Sequence, residues 1–294
     1  MHVIKAGDYK FWESLWREAR EKSPLIQRRI RSENEDVENW SRRARWFARQ
    51  TGGERGEQRN KAVFDFLKGG DVLRPGAKVL DIGSGPGNFA IPMARMGAEV
   101  TALEPAAEML RIMEDRLKAE QLDNVTVVQR TWQEVLGKEE WLKGGFDLVF
   151  ASMTPGVQDP ENLQKMISAS KKYCYYSSFS GQRWGQAHRD LWQRFFNEDM
   201  GCNASDIIYP FGFLYALGYR PKLSFVTIRR EEAEQVEEAV ESLCTFFLSF
   251  LDITPGARRV IEDYVTERSK NDIFKQENKF CHGMMLWRVD ETFI

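Results

Sequence analysis

A glycine-rich turn between an apolar run and a helical pattern constrains the fold of this chain most. Residues 78–82 have the apolar character of a short buried strand, residues 83–87 alternate glycine with other residues, and residues 88–96 have helical spacing. A strand that leads through such a turn into a helix presents backbone N–H groups and a helix N-terminus to a ligand. The glycines let a ligand approach the backbone because no Cβ blocks it. The stretch therefore predicts an α/β fold with a ligand site at this turn.

The spacing of the glycines separates classes of ligand. A dinucleotide fingerprint is G-x-G-x-x-G, whereas here the glycines are Gly83, Gly85 and Gly87, and Asn88 stands where the dinucleotide motif has glycine. The run from Asp81 to Gly87 resembles the first motif, D/E-x-G-x-G-x-G, of the Rossmann-like (class I) S-adenosylmethionine-dependent methyltransferases, and it matches every fixed position. A fold that binds NAD or FAD, or a glycine turn without a ligand, is the alternative, because a lone glycine motif is weakly specific.

The resemblance implies a cofactor site. In that family the turn holds the methionine part of S-adenosyl-L-methionine, whose carboxylate suits free N–H donors and whose ammonium can meet the carboxylate of Asp81. Glu104 ends the next predicted strand, where an acid accepts both ribose hydroxyls; NAD enzymes use the same device. The residues expected to bind the cofactor are Asp81, Gly83, Ser84, Gly85, Gly87, Asn88, Glu104, Pro105, Thr131, Trp132 and Ala151.

The loop after the third predicted strand departs from the family. An acid is common there at the adenine edge, but this chain has Thr131, whose hydroxyl can still accept from the adenine amine. Trp132 is expected to cover the adenine, because an indole stacks well on a base. The alternative for Trp132 is core packing under the next helix.

The fourth predicted strand, residues 145–152, contains F-D-L-V and resembles the family's fourth motif. Its carboxyl end points at the reacting methyl, because ligands of open α/β sheets bind there. Residues 152–156 lack the N-P-P-Y-type motif of adenine-N6, cytosine-N4 and glutamine methyltransferases. They also lack the carboxylates with which catechol-type enzymes hold magnesium. We therefore expect no metal, and a substrate pocket that includes Ser152, Met153 and Thr154.

A long aromatic insertion, residues 181–221, separates the fifth predicted strand from the sixth. In the family's topology it lies above the methyl site, and we expect it to be a lid that excludes water. Trp184 and Tyr209 of this lid insertion are expected to line the substrate pocket, and His188 is the candidate general base. A base is needed only if the acceptor arrives protonated. An oligomer interface or plain packing is the alternative for the insertion, and an ordinary surface position is the alternative for His188.

The chain outside these motifs predicts the remaining architecture. Residues 1–70 contain three amphipathic helical patterns rich in tryptophan, and we expect an N-terminal helical cap that supplies apolar wall to the site; packing alone is the alternative. The basic positions 42, 43, 45 and 49 suit a solvated helix face, which could also attract an acidic substrate. Residues 71–294 form the predicted core, a seven-stranded mostly parallel sheet with helices on both faces. The sixth strand is expected at 222–228, a helix at 231–251, and an antiparallel last strand at 279–289.

Composition narrows the function. The net charge of −2 argues against a nucleic-acid partner, which usually requires a basic excess. The four cysteines are isolated, which excludes a C-x-x-C pair and a cluster for radical chemistry and indicates a reducing compartment. The sequence has no signal peptide and no membrane-spanning run, so a cytoplasmic protein without membrane contact is expected.

The predicted reaction is in-line methyl transfer from S-adenosylmethionine to a small-molecule acceptor, with S-adenosyl-L-homocysteine as the product. Three alternatives remain at this point: a protein or RNA methyltransferase, a non-methylating S-adenosylmethionine-binding protein, and an NAD-dependent enzyme, against which Asn88 argues. The acceptor, the methylated atom and the oligomeric state are open.

Overall fold

The computed structural model describes residues 7–30, 32–68, 71–137, 139, 141–142 and 145–293. Within these residues the strands are β1 Lys78–Ile82, β2 Glu99–Leu103, β3 Val125–Val128, β4 Phe146–Ser152, β5 Ser170–Ser180, β6 Lys222–Gln235, β7 Ser269–Lys270 and β8 Ile273–Arg288. They form one sheet in the order β3-β2-β1-β4-β5-β8-β6, with the short β7 paired to β8. The expected α/β class is confirmed, with one two-residue strand more than predicted.

The direction of the strands follows the expected scheme. Strands β1 to β5 pair in parallel with their neighbours, whereas β8 runs antiparallel to both β5 and β6 between which it lies. The carboxyl ends of β1, β2, β4 and β5 therefore meet at one edge of the sheet. This edge is where an open parallel sheet binds its ligand.

The helices of the described chain are α1 Tyr9–Glu21, α2 Pro24–Gln27, α3 Glu33–Thr51, α4 Gly53–Leu67, α5 Ala90–Arg95, α6 Ala107–Ala119, α7 Pro160–Ala169, α8 Gln186–Phe196, α9 Ile208–Ala216, α10 Val236–Phe247 and α11 Pro255–Arg268. Several begin at a polar cap that satisfies free N–H groups. Asp8 caps α1, and Ser32 with Glu35 forms a capping box at α3. Among the described residues, no helix is long and apolar enough to cross a membrane.

Two helical layers cover the sheet, because alternate side chains of a strand point to opposite faces. On one face α4, α5 and α6 pack against Val79, Val100 and Leu148. On the other face α1, α7 and α9 pack against Leu80 and Val149. A third apolar cluster joins α8, α10 and α11 beside the sheet.

The lid insertion has two structurally different halves. Its helix α8 belongs to the cluster with α10 and α11, whereas α9 packs on the sheet as part of the core. Phe213 and Leu214 of α9 are fully buried, and Trp12 of α1 packs directly on Gly212. The expectation of one lid across residues 181–221 does not describe α9, because its apolar residues find partners on α1 and the sheet.

The region of β6 corrects the predicted boundaries. Strand β6 continues to Gln235, where residues 231–251 were expected to be a helix, and β8 begins at Ile273 instead of residue 279. The acidic residues 231–234 imitate the start of a helix, but they pair in register with β8 as far as Gln235 opposite Ile273. This pairing is between segments distant in sequence, so local periodicity did not reveal it.

Gly212 in α9 gives a direct test of the contact between α1 and the core. A Cβ at this position would lie 2.3 Å from the Trp12 ring. Gly→Ala inside a helix usually stabilises by about 0.8–1.0 kcal/mol, but overpacking costs about 1–3 kcal/mol. We expect Gly212→Ala to lower the free energy of unfolding in urea. Gly256→Ala in α11, where a Cβ would lie 3.8 Å from Oγ1 of Thr254, is the control and should not lower the free energy of unfolding. Equal stability of both variants would contradict the packing of Trp12 on α9.

Candidate active site

The glycine turn is open to a ligand at one point. Gly83, Gly85 and Gly87 all have positive φ, at 71°, 55° and 81°, which disfavours residues with a Cβ. A Cβ at Gly83 would lie 2.1 Å from Oγ1 of Thr154, and one at Gly87 would lie 2.8 Å from Met113. Gly85 has free space instead, with a Phe47 ring atom nearest at 3.9 Å. Gly83 and Gly87 thus serve close packing, while Gly85 leaves its backbone accessible.

Glu104 lies against this turn at the end of β2. Its carboxylate accepts hydrogen bonds from the N–H groups of Gly85, at 3.0 Å, and Ala106, at 2.9 Å. The side chain is buried, and burial raises the pKa of Glu104 although the two N–H groups act in the opposite direction. The acid predicted to bind a ribose is therefore held next to the glycine backbone.

Asp81 and Ser84 carry buried polar atoms that need a partner. Oδ2 of Asp81 and Oγ of Ser84 have no hydrogen-bond partner within the described chain, although both residues are buried. Burial, and then the charge of Glu104, raise the pKa of Asp81 to about 8. Buried polar side-chain atoms without a partner are uncommon in folded proteins. An ammonium and further polar groups of a ligand would satisfy them, so these residues fit the amino-acid part of S-adenosylmethionine.

Asn88 joins the N-terminal helices to the turn. Its Nδ2 donates to Oγ1 of Thr51 at 2.8 Å, and its carbonyl oxygen accepts from Nδ2 of Asn60 at 2.9 Å. Arg116 donates to the carbonyl of Pro86 at 2.8 Å on the other side. The residue that replaces the dinucleotide glycine thus connects α3 to the glycine turn through its side chain and α4 through its backbone carbonyl.

A cavity of about 420 Å³ adjoins Pro105, between α3 and the start of α6. Its lining residues are Val37, Glu38, Ser41, Arg42, Pro105, Ala107 and Gln129. Ala44 and Phe47 of α3 pack against Ala106 and Met109, which fixes α3 across this end of the sheet. The cap therefore forms one wall of the space next to Glu104.

The side chains of Thr131 and Trp132 are engaged elsewhere. Oγ1 of Thr131 accepts from the Glu134 N–H at 3.2 Å, within a local turn. Trp132 is buried in the core, its Nε1 donates to the carbonyl of Asn162 at 3.1 Å, and Nζ of Lys165 lies 4.5 Å from its ring centroid. This geometry favours the packing alternative for Trp132, because α7 and Lys165 cover the indole.

The loop after β4 lies between β5 and the glycine turn. Ser152 and Ser177 place their hydroxyl oxygens 3.1 Å apart, and the Met153 N–H donates to the carbonyl of Ser177 at 3.0 Å. Met153 has φ 54°, which is uncommon for a non-glycine residue and recurs at functional loops. Thr154 is buried against Gly83, whereas Ala151 is fully buried in the apolar cluster with α7 and α9. Residues 152–154 thus adjoin the turn, but Ala151 faces the core.

The three predicted residues of the lid insertion lie in two places. Trp184 and His188 pack with Phe246 of α10, whereas Tyr209 packs at the core. The His188 ring is 5.3 Å from Trp184 and 4.6 Å from Phe246 of α10, between ring centroids. Burial lowers the pKa of His188 to about 4, so the imidazole is neutral and weakly basic at neutral pH. Tyr209 instead packs at the core beside α1 and α7. The structure therefore offers no contact between His188 and residues 152–154 within the part it describes.

Comparison with known proteins agrees with this geometry. Residues 79–174 match a family described as a methyltransferase domain. An uncharacterized protein of Haemophilus influenzae is 23% identical over 213 residues, which are 72% of this chain and 76% of that protein. A 23S rRNA (uracil(1939)-C(5))-methyltransferase of Shewanella sediminis is 35% identical over 82 residues, which are 28% of this chain and 18% of that enzyme. The chain thus spans less than a fifth of the length of that relative.

Two solved structures share the fold. A methyltransferase-type protein of Bacillus halodurans superimposes with a TM-score of 0.51 and 11% identity, covering 79% of this chain and 99% of that one. Magnesium protoporphyrin IX methyltransferase of Synechocystis, with bound S-adenosylhomocysteine, gives a TM-score of 0.52 and 14% identity, covering 86% and 96%. By sequence, residues 79–174 therefore correspond to a methyltransferase domain, and the fold is that of these two structures.

The sequence did not indicate that α3 would lie against this candidate site. Glu38 and Ser41 line the cavity beside Pro105, and Phe47 lies over Gly85. The apolar spacing of α3 predicted a helix, but nothing local indicated that it would pack on α6. The sequence also did not predict that Arg20 and Arg183 lie near the carboxyl edge, because neither residue belongs to a recognisable motif.

The raised pKa of Asp81 predicts how pH affects the binding of S-adenosylhomocysteine. An ammonium binds the ionised carboxylate, so affinity should increase from about pH 6 to about pH 8 as Asp81 loses its proton. Without ligand, the contribution of Asp81 to the free energy of unfolding changes with pH in the opposite direction. The folded state keeps a proton that the unfolded chain releases above about 3.8, so this contribution falls as the pH rises toward 8.

Calorimetric titration across this pH range tests the role of Asp81. Asp81→Asn should bind more weakly and should lose the increase of affinity with pH. Asp65→Asn is the control, because Lys61 and Lys68 lower the pKa of this exposed acid to about 2 and it is already ionised throughout. A wild-type affinity independent of pH would contradict contact between Asp81 and the ammonium.

Substitution of Glu104 should also weaken the binding of S-adenosylhomocysteine. Loss of two hydrogen bonds to a charged acceptor, worth roughly 1.5–3 kcal/mol each, should weaken S-adenosylhomocysteine binding by at least about tenfold in Glu104→Ala. Glu104→Gln keeps one acceptor oxygen and should recover part of the affinity. Glu99→Ala, at the exposed start of the same strand, is the matched control. Unchanged dissociation constants in both Glu104 variants would place the ribose elsewhere.

Proposed function

We propose that this protein transfers a methyl group from S-adenosylmethionine to a small-molecule acceptor. The observation that carries the proposal is the group of buried acids at the glycine turn, where Asp81 has an unsatisfied oxygen and Glu104 binds the Gly85 N–H. The bound cofactor supplies a methyl group on a sulfonium, which is an activated leaving group. The protein must then position the acceptor and exclude water.

In this proposal, different residues bind different parts of the cofactor. Asp81 holds the ammonium, and the accessible backbone at Gly85 accommodates the methionine part. Glu104 receives the ribose hydroxyls, and the cavity of about 420 Å³ beside Pro105 accepts the adenine. Glu38 and Ser41 of α3 provide polar groups at this cavity, where the loop at Thr131 and Trp132 provides none that is free.

Residues 152–154 form one wall of the space for the acceptor. They lie at the end of β4, hydrogen-bonded to Ser177 of β5 and next to Gly83. Helix α1 lies over the loop that follows, since Nη1 of Arg20 donates to Oε1 of Gln158 at 3.0 Å. The chain from β5 into α8 bounds the same edge. We assign no proton transfer to His188, whose pKa of about 4 and apolar neighbours suit packing.

A small molecule is favoured over a macromolecule by the surroundings of this edge. The N-terminal helices and the lid insertion flank it on two sides, which leaves little room for a folded partner. The net charge of −2 also lacks the basic excess of nucleic-acid binders. RNA is the second candidate, because the relative from Shewanella sediminis is a 23S rRNA methyltransferase.

Transfer of a labelled methyl group tests both candidates. The protein is incubated with S-adenosylmethionine labelled at the methyl, together with an ultrafiltered small-molecule extract, with purified ribosomal RNA, or with neither. We expect label to enter the small-molecule fraction, and Glu104→Ala to reduce it. Label in RNA alone would identify the second candidate, and label in neither fraction would contradict methyl transfer to both.

A further inference from the structure

A guanidinium near the carboxyl edge lacks an anionic partner. Arg183 follows β5 by three residues, and its Cζ lies 5.1 Å from the ring centroid of Phe179 and 4.8 Å from that of Trp184. It is partly buried, and within the described chain it forms no ion pair. Burial, and then the charge of Arg29, lower the pKa of Arg183 to about 10, so it remains charged at neutral pH. Buried charges are normally paired.

A second guanidinium approaches the same place from α1. Arg20 is partly buried and donates to Gln158, a neutral amide, and no carboxylate of the described residues forms an ion pair with it. Burial lowers the pKa of Arg20 as well, although the charge of the Asp159 carboxylate acts in the opposite direction without forming an ion pair with it.

Tyr176 in β5 donates its buried hydroxyl to the carbonyl of Val157, next to Gln158. Leu25, just after α1, packs on the same apolar cluster as Trp184. The segment that carries Arg20 therefore lies beside the segment that carries Arg183, and the charges of both act on the Tyr176 hydroxyl.

Unsatisfied N–H donors accompany these charges. Nε1 of Trp184 and Nε1 of Trp16 are buried without a hydrogen-bond partner within the described chain. Trp184 is the residue on which Arg183 stacks, and Trp16 lies one helical turn before Arg20. An unsatisfied buried donor costs about 1–3 kcal/mol. Positive charge with free donors is the chemical complement of an anion.

A purely structural arginine in this chain looks different. Arg220 also stacks on two rings, those of Tyr215 and Phe293, but its guanidinium is exposed and donates to the carbonyls of Tyr215 and Tyr219. Arg183 has no such acceptor among the described residues. Stacking on aromatic rings therefore accounts for Arg220 but leaves the charge of Arg183 unbalanced.

We propose that the methyl acceptor is a small organic anion, a carboxylate or a phosphate ester, whose charged group binds between Arg183 and Arg20. This inference rests on the proposed function, because both arginines lie where the chain leaves β4 and β5, on the acceptor side of the site. The anionic end would fix the orientation of the acceptor, while its opposite end lies near residues 152–154.

Calorimetric titration of simple probes tests the site, with and without saturating S-adenosylhomocysteine. The probes are benzoate and phenyl phosphate, with benzamide and benzyl alcohol as neutral counterparts. At least one anion should bind at least about tenfold more tightly than its neutral counterpart, and the tighter of the two identifies carboxylate or phosphate. Arg183→Gln should lower the affinity for that anion at least about tenfold, and Trp184→Phe should lower it less. Arg220→Gln should leave it unchanged.

A stability measurement separates binding from structure. Without ligand, Arg183→Gln should raise the urea midpoint, because it removes an unpaired buried charge; a structural arginine would lower it. Equal binding of anions and neutral counterparts, no binding of either anion to the wild type, or an unchanged anion affinity in Arg183→Gln would overturn the inference. Failure of the wild type to bind S-adenosylhomocysteine would instead reject the proposed function, and the titrations without it would still test the anion site.

Discussion

The hydrogen bond from the Gly85 N–H to the Glu104 carboxylate is the contact on which the site depends. It joins the ends of β1 and β2 at 3.0 Å and keeps the acid buried beside the glycine turn. Its cost is electrostatic, because burial, and then the charge of the nearby Glu104, raise the pKa of Asp81 to about 8. Two buried acids in one place destabilise the protein without a ligand, and this arrangement is typical of a functional site. The parallel sheet makes it possible, since it brings consecutive strand ends to one edge.

The rest of the chain is built around that edge. Helix α3 closes one side through Phe47 over Gly85 and through Thr51 bonded to Asn88. Helices α1 and α9 close the opposite face of the sheet, where Trp12 packs on Gly212 without space for a Cβ. The N-terminal helices and α9 of the insertion are therefore parts of the core.

Some of the buried polar atoms that lack a hydrogen-bond partner within the described chain lie near the carboxyl edge of the sheet. Oδ2 of Asp81 and Oγ of Ser84 stand at the glycine turn, and Nε1 of Trp184 stands beside Arg183. The first group presents acceptors and suits the cationic amine of the cofactor. The second presents donors and positive charge. With the proposed anion site, two sites of opposite polarity would lie at one edge of the sheet, as a reaction between two different ligands requires.

The sequence by itself determined the strand–turn–helix unit, the acid at the end of β2 and the α/β class, because glycine spacing and apolar periodicity are local properties. Strand order followed from the resemblance of Asp81–Gly87 to a known motif. Tertiary structure decided the rest. Trp132 joined the core because α7 covers it, and β6 extended to Gln235 because β8 pairs with it. Packing of α3 on α6, and the contact of α1 with the loop after β4, bring together residues far apart in the chain. Such contacts depend on how whole elements dock, which no local pattern records.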